Sequence, residues 1–105
     1  MPTFVTMVRF TAEGAKSIGD SRKRYEAYEK RVQDAGGRVV ASYGLLGEYD
    51  VITIADLPSE KAAARIALAT ASLGTVTTQT LTAIPIKEFY DMIEETVGAG
   101  KVSAG

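Results

Sequence analysis

A phenol and a carboxylate stand side by side at Tyr49-Asp50, directly after a glycine-bounded turn at Gly47-Glu48, and they are the residues of this chain best suited to chemistry. A carboxylate can accept a proton or a hydrogen bond, and a phenol can orient a ligand. Arg9, Tyr43, Thr53, Thr77 and Gln79 lie on segments that read as strands and complete the polar candidates. Of these, Arg9, Tyr43, Tyr49 and Asp50 form the expected ligand-binding set. The competing reading, and the expected one, is structural. Asp50 would fix the turn by bonding nearby backbone amides, and Tyr49 would pack with its hydroxyl at a polar edge. Gly47 is expected to serve backbone conformation alone.

Other chemistries are excluded by composition. The 105 residues include no histidine and no cysteine. That removes the commonest general base, thiolate nucleophiles, disulfides and most transition-metal ligands, including histidine ligation of haem. A site of Asp and Glu alone shows no ligand spacing, so neither a metal nor a cofactor is expected. The net charge of −1 with 24% charged residues provides no field that would draw in nucleic acid or an anionic membrane. No apolar run reaches the roughly 18 residues of a membrane span, and MPTFVTMVRF lacks a basic leader, so the expected compartment is the cytoplasm.

The elements that must position these residues follow from period and punctuation. Thr3 to Phe10 is apolar on both parities and reads as a strand buried on two sides. Residues 11–20, with two glycines, suit an irregular crossing. A helix begins after Asp20 or Ser21, either able to cap it, and ends at Gly36-Gly37. Its Tyr25, Tyr28, Val32 and Ala35 share one face, which should lie on a sheet. Glu26 and Lys30 are spaced to pair on the solvent side. Arg22, Lys23 and Arg24 read as a solvated charged face, with an anion site as the competing reading. Arg38 to Leu46 and Tyr49 to Ala55 make an antiparallel hairpin in which Gly44 suggests a bulge or a close approach to the backbone.

Asp56 to Glu60 opens a second helix with an early proline and a capping serine, and the alanine-rich run from Lys61 to Ser72 carries it to Gly74. Its small side chains allow close approach to a sheet. Thr75 to Ile84 is a strand whose five threonines suit an edge or a cavity wall. Ile86 to Thr96 reads as a short amphipathic helix with Phe89, Met92 and Ile93 on one face. The domain organisation expected is a single domain over 1–95 and a flexible tail over 96–105.

The order β-α-β-β-α-β with a terminal helix is the split βαβ, or ferredoxin-like, arrangement of the α+β class with a four-stranded antiparallel sheet. Its central strands are the first and third, the two that are apolar on both parities. Two helices cover one face of such a sheet, so the other needs a second cover. A second copy packed sheet to sheet is the economical one.

The motif Gly47-Glu48-Tyr49-Asp50 before Val51-Ile52-Thr53-Ile54 resembles the signature of the GYD domain family. So do Gly14 and Ile18 before Arg22-Lys23-Arg24, the Gly36-Gly37 helix end, and Leu73-Gly74 with Thr78 and Thr80 to Ala83. The resemblance covers roughly residues 3 to 90 and implies a dimeric α+β barrel, with no established activity attached. The expected function is therefore a homo-oligomeric small-molecule-binding or assembly module, its partners being a second copy and a small apolar ligand. The alternative is a cofactor-independent enzyme of the monooxygenase or isomerase kind that such barrels host, argued from fold alone. A purely structural oligomer is the third reading.

Overall fold

Alternating apolar and threonine-rich segments form four strands, and a computed structural model describes them within residues 1–99. In chain order the elements are β1 Thr3–Phe10, α1 Ala12–Lys16, a 3-10 turn at Ile18–Asp20, α2 Ser21–Asp34, β2 Arg38–Gly44, β3 Val51–Asp56, α3 Glu60–Ser72, β4 Val76–Ala83 and α4 Ile86–Val97. The strands pair antiparallel in the order β2-β3-β1-β4, which places β1 and β3 at the centre as their two-sided apolarity requires. This is the ferredoxin-like arrangement. Residues 100–105, most of the expected tail, lie outside the described residues, while Thr96 and Val97 belong to α4.

Register fixes which side chains share a face. Thr6 stands opposite Thr53 on one side and Thr80 on the other, and Phe4 opposite Ala55 and Thr82. This set looks toward α2 and α3. The core sits there: Phe4, Val32, Ala55, Leu57, Ala63 and Ile66 are buried, with Tyr28, Ala35 and Val39 packed against them. Each large apolar side chain so buried contributes about 1.5–3 kcal/mol. Ala62 and Ala63 are the buried residues of α3 besides Ile66, so the helix meets its neighbours without bulky side chains between. Ser59 caps α3 by accepting the Ala62 N–H at 3.1 Å.

Several local expectations are revised. Residues 11–20 are ordered as α1 and the 3-10 turn because Thr11 caps the Gly14 N–H and its own hydroxyl donates to the Gly74 carbonyl at 2.7 Å. Neither Asp20 nor Ser21 caps α2 with its side chain; Ser21 Oγ donates back to the Ile18 carbonyl instead. Lys30 pairs at 3.2 Å with Asp34, one turn after it, rather than with Glu26, one turn before it. β2 stops at Gly44 and β3 starts at Val51, because the Leu45 N–H bonds the Asp50 carbonyl and closes the intervening residues into a turn. The bulge falls between Val39 and Ala41, not at Gly44, whose side-chain position meets nothing within 4 Å.

Candidate functional site

Asp50 sits one residue beyond the last β1–β3 pair, Val8 with Val51, and its groups extend that ladder. Its N–H donates to the Val8 carbonyl at 2.8 Å, and its carboxylate Oδ2 accepts the Phe10 N–H at 2.8 Å. The side chain thus stands where a strand carbonyl would otherwise be. Gly47, with φ +122°, lets the chain turn ahead of it, as only glycine readily does.

Arg9 reaches across from β1 to the same turn. Its guanidinium donates to the Glu48 carbonyl at 3.0 Å, pairs with the Glu48 carboxylate, and lies 4.9 Å from the Tyr49 ring centroid. The Tyr49 hydroxyl meets Gln79 Oε1 at 3.4 Å, a long contact. The structure therefore brings Arg9, Tyr49 and Asp50 together and adds Glu48. Tyr43 stands apart on β2, opposite Ile52 and largely exposed. The hydrogen bonds of Arg9 and Asp50 go to the turn itself and to β1 beside it.

On the helix side of the sheet a second region has the makings of a ligand site. A cleft of about 750 Å³ lies between the sheet and α2 and α3. Its floor holds Thr6, Thr53, Thr78 and Thr80 among Phe4, Val8, Phe10 and Val76, and α2 contributes Tyr25 and Tyr28. The Tyr25 hydroxyl donates to Ser42 Oγ at 2.8 Å, and Tyr28 shares a hydrogen bond with buried Thr53 at 3.1 Å. Burial pushes the Tyr28 phenol above its ordinary pKa, against the opposing effect of the Thr53 bond, so at neutral pH it keeps its proton. Apolar walls with hydroxyls that can donate or accept suit a small ligand, and charged Arg22, Arg24, Glu26, Glu29 and Arg31 of α2 also line the cleft. Thr77 and Gln79, two of the sequence candidates, belong to the opposite face by register.

Sequence reasoning missed this cleft as a whole. It named the wall, the threonines of β4, and the face of α2 that carries Tyr25 and Tyr28. What aligns them is the register of Thr6 with Thr53 and Thr80, residues that lie far apart in the chain. Arg24 was one of three cations offered for an anion. Its guanidinium is committed to the Ser17 carbonyl, Ser17 Oγ, the Gly14 carbonyl and Ser21 Oγ at 3.1–3.3 Å, and so braces the 3-10 turn.

The opposite face of the sheet carries Val5 and Met7 of β1, Ile52 and Ile54 of β3 and Leu81 of β4 in adjacent register, only partly buried. Among the described residues, no group of acidic side chains could hold a metal ion, and no helix is long and apolar enough to cross a membrane.

Residues 4–93 match the family model described as the GYD domain. A protein of Thermus thermophilus named "Glutamine synthetase and cystathionine beta-lyase binding protein" is 36% identical over 89 residues, 84% of this chain and 94% of that one. Two crystal structures share the fold. An FFRP protein has a TM-score of 0.58 at 21% identity, covering 80% of this chain and 100% of that chain. The leucine response regulatory protein LrpA of Mycobacterium tuberculosis has a TM-score of 0.56 at 14% identity, covering 80% of this chain and 51% of that one.

Proposed function

The chain belongs to the GYD domain family, and from that premise we propose that it is a homo-oligomeric binding module built as a dimeric α+β barrel. The observation that carries the proposal is the open sheet face. Among the described residues, Val5, Met7, Ile52, Ile54 and Leu81 form an apolar surface with no helix over it, whereas an antiparallel sheet that faces water is ordinarily polar on that side. A second copy packed face to face would cover both such surfaces at once under a two-fold axis.

What the pair binds is argued from two further observations. The Thermus relative carries a name that makes it a binder of two enzymes, which supports a protein partner of that class here. The hydroxyl-lined cleft supports a small apolar ligand with a few hydrogen-bonding groups, held on the helix side of each copy. Of the expected ligand set, Arg9 and Tyr49 keep a place in the proposal as a secondary ligand surface, whereas Asp50 serves the strand ladder and Tyr43 stands apart. A net charge of −1 favours neither nucleic acid nor an anionic membrane as partner, and the proposed compartment is the cytoplasm. The cofactor-independent enzyme draws less support, because it is argued from fold alone and the sequence holds no histidine.

Native mass spectrometry of the freshly purified full chain tests the proposal, since it reads assembly mass and retained ligand together. We expect two chains at micromolar concentration, and one chain for Ile54→Lys, which would place an unpaired ammonium in the contact. A wild-type mass of one chain at that concentration would refute the pairing.

A further inference from the structure

Resting on the pairing proposed above, we infer that α4 is a clasp whose apolar face docks on the second copy of this chain. The helix separates its side chains cleanly. Ile86, Phe89, Tyr90, Ile93 and Val97 follow one another at short helical steps, with Met92 beside them, while Lys87, Glu88, Asp91, Glu94 and Glu95 occupy the other side. Every residue of α4 is exposed, and the Phe89 and Tyr90 rings lie 6.5 Å apart. The helix projects from the body. The radius of gyration is 17.0 Å, against about 13 Å for a compact chain of this length.

Local terms do not hold such a helix in water. Twelve residues is at the short limit for an isolated helix, below which nucleation outweighs propagation. Pro85 at its start provides no side-chain cap, and its last turn holds acidic Glu94 with no basic residue, the wrong sign for the helix dipole. Its stability must come from packing.

A second copy is the occupant that the chain itself points to. Only Ile84 and Pro85 link β4 to α4, so the helix leaves from the edge strand, and every residue of α4 is exposed rather than packed on its own sheet. The open sheet face leaves Leu81 exposed at one margin and Tyr43 at the other. These apolar margins adjoin the proposed sheet-to-sheet contact, and a tethered helix is available to them at fixed stoichiometry. Area supports the match. The exposed fractions of the six apolar side chains of α4 amount to about three whole side chains, roughly 500 Å² per helix. Counting the surface each helix covers and the two-fold repeat brings the clasp alone to roughly 2,000 Å², within the range of stable interfaces. Exchange of one element per copy also closes the assembly at two.

The chain has no cysteine, so introduced ones report contacts without interference. In the full-length protein, light Ile93→Cys chains are mixed with isotopically heavy chains carrying Tyr43→Cys or Leu81→Cys and oxidised. A light–heavy disulfide with either receiver is expected. Phe89→Glu with Ile93→Glu should weaken self-association about 100-fold, the loss typical of removing buried anchors. An unchanged dissociation constant in that variant overturns the clasp while leaving sheet pairing intact. A disulfide within one chain carrying both cysteines, at the mass of a monomer, also overturns it. Self-association at wild-type strength together with lost binding of an added enzyme overturns it in favour of a different protein as occupant. A dimer that survives Ile54→Lys but not Phe89→Glu with Ile93→Glu supports the clasp and refutes the sheet contact.

Discussion

Replacing Asp50 with alanine separates a structural carboxylate from a functional one. The Oδ2 atom accepts the Phe10 N–H at 2.8 Å in a partly buried position, at the point where β1 runs past the end of β3. Alanine leaves that backbone donor without its charged acceptor. Hydrogen bonds to charged groups contribute about 1.5–3 kcal/mol net, and partial access of water places this one near 2 kcal/mol. Asparagine keeps an oxygen in the same place without the charge and should lose about half as much. At about 4–8 °C per kcal/mol in a domain of this size, Asp50→Ala should melt roughly 10 °C below wild type and Asp50→Asn roughly 5 °C below. Circular dichroism melts of the full chain, at a protein concentration where all variants have the same assembly mass, measure this, because association itself raises the melting temperature. Tyr49→Phe is the control. Its hydroxyl contact to Gln79 is 3.4 Å long and exposed, so its shift should stay within about 0.5 kcal/mol. If Asp50→Ala melts within about 1 °C of wild type, the ladder argument is wrong and the carboxylate returns to the ligand candidates.

Asp56 predicts an acid limb in the stability curve. Its carboxyl is held below the usual value first by the hydrogen bond from Thr3 Oγ1 at 2.7 Å and then by Arg38, against opposing desolvation. A pKa lowered on folding means that the unfolded chain binds the proton more readily. The contribution is therefore present above the unfolded value of about 3.9 and fades as pH falls through the folded one. Urea titrations of wild type and Thr3→Val should differ at neutral pH and converge in strong acid; a constant difference would show that Thr3 acts otherwise. Gly14 and Gly19 form a matched pair. A Cβ at Gly14 would stand 2.0 Å from the Thr75 carbonyl oxygen, while one at Gly19 meets nothing within 4 Å. Gly14→Ala should cost about 2 kcal/mol or more and Gly19→Ala almost nothing, and equal denaturation midpoints would contradict the close approach of α1 to the segment before β4.

Much of this architecture was legible because its causes are local. Two-sided apolarity marked β1 and β3 as central, the spacing of Tyr25, Tyr28, Val32 and Ala35 gave the buried face of α2, and Ser59 announced the start of α3. The structural reading of Asp50 needed only the turn beside it, although its acceptor role was aimed at nearby amides and in fact serves Phe10, on a different strand. The motif from Gly47 to Ile54, with shorter pieces spread between Gly14 and Ala83, likewise identified the family.

The sequence by itself determined which segments become strands and helices and which of their faces are apolar, since those follow from side-chain period and turn residues within a few positions. Tertiary structure decided where those faces go. The alignment of Thr6 with Thr53 and Thr80 that floors the cleft, the bulge at Val40 and the commitment of Arg24 to the 3-10 turn all depend on register and docking. So does the projection of α4 away from its own sheet. The physical reason is that an amphipathic pattern states only that a surface must be covered. Which surface covers it is settled by distant contacts, and for the open sheet face and α4 the proposed cover is another molecule.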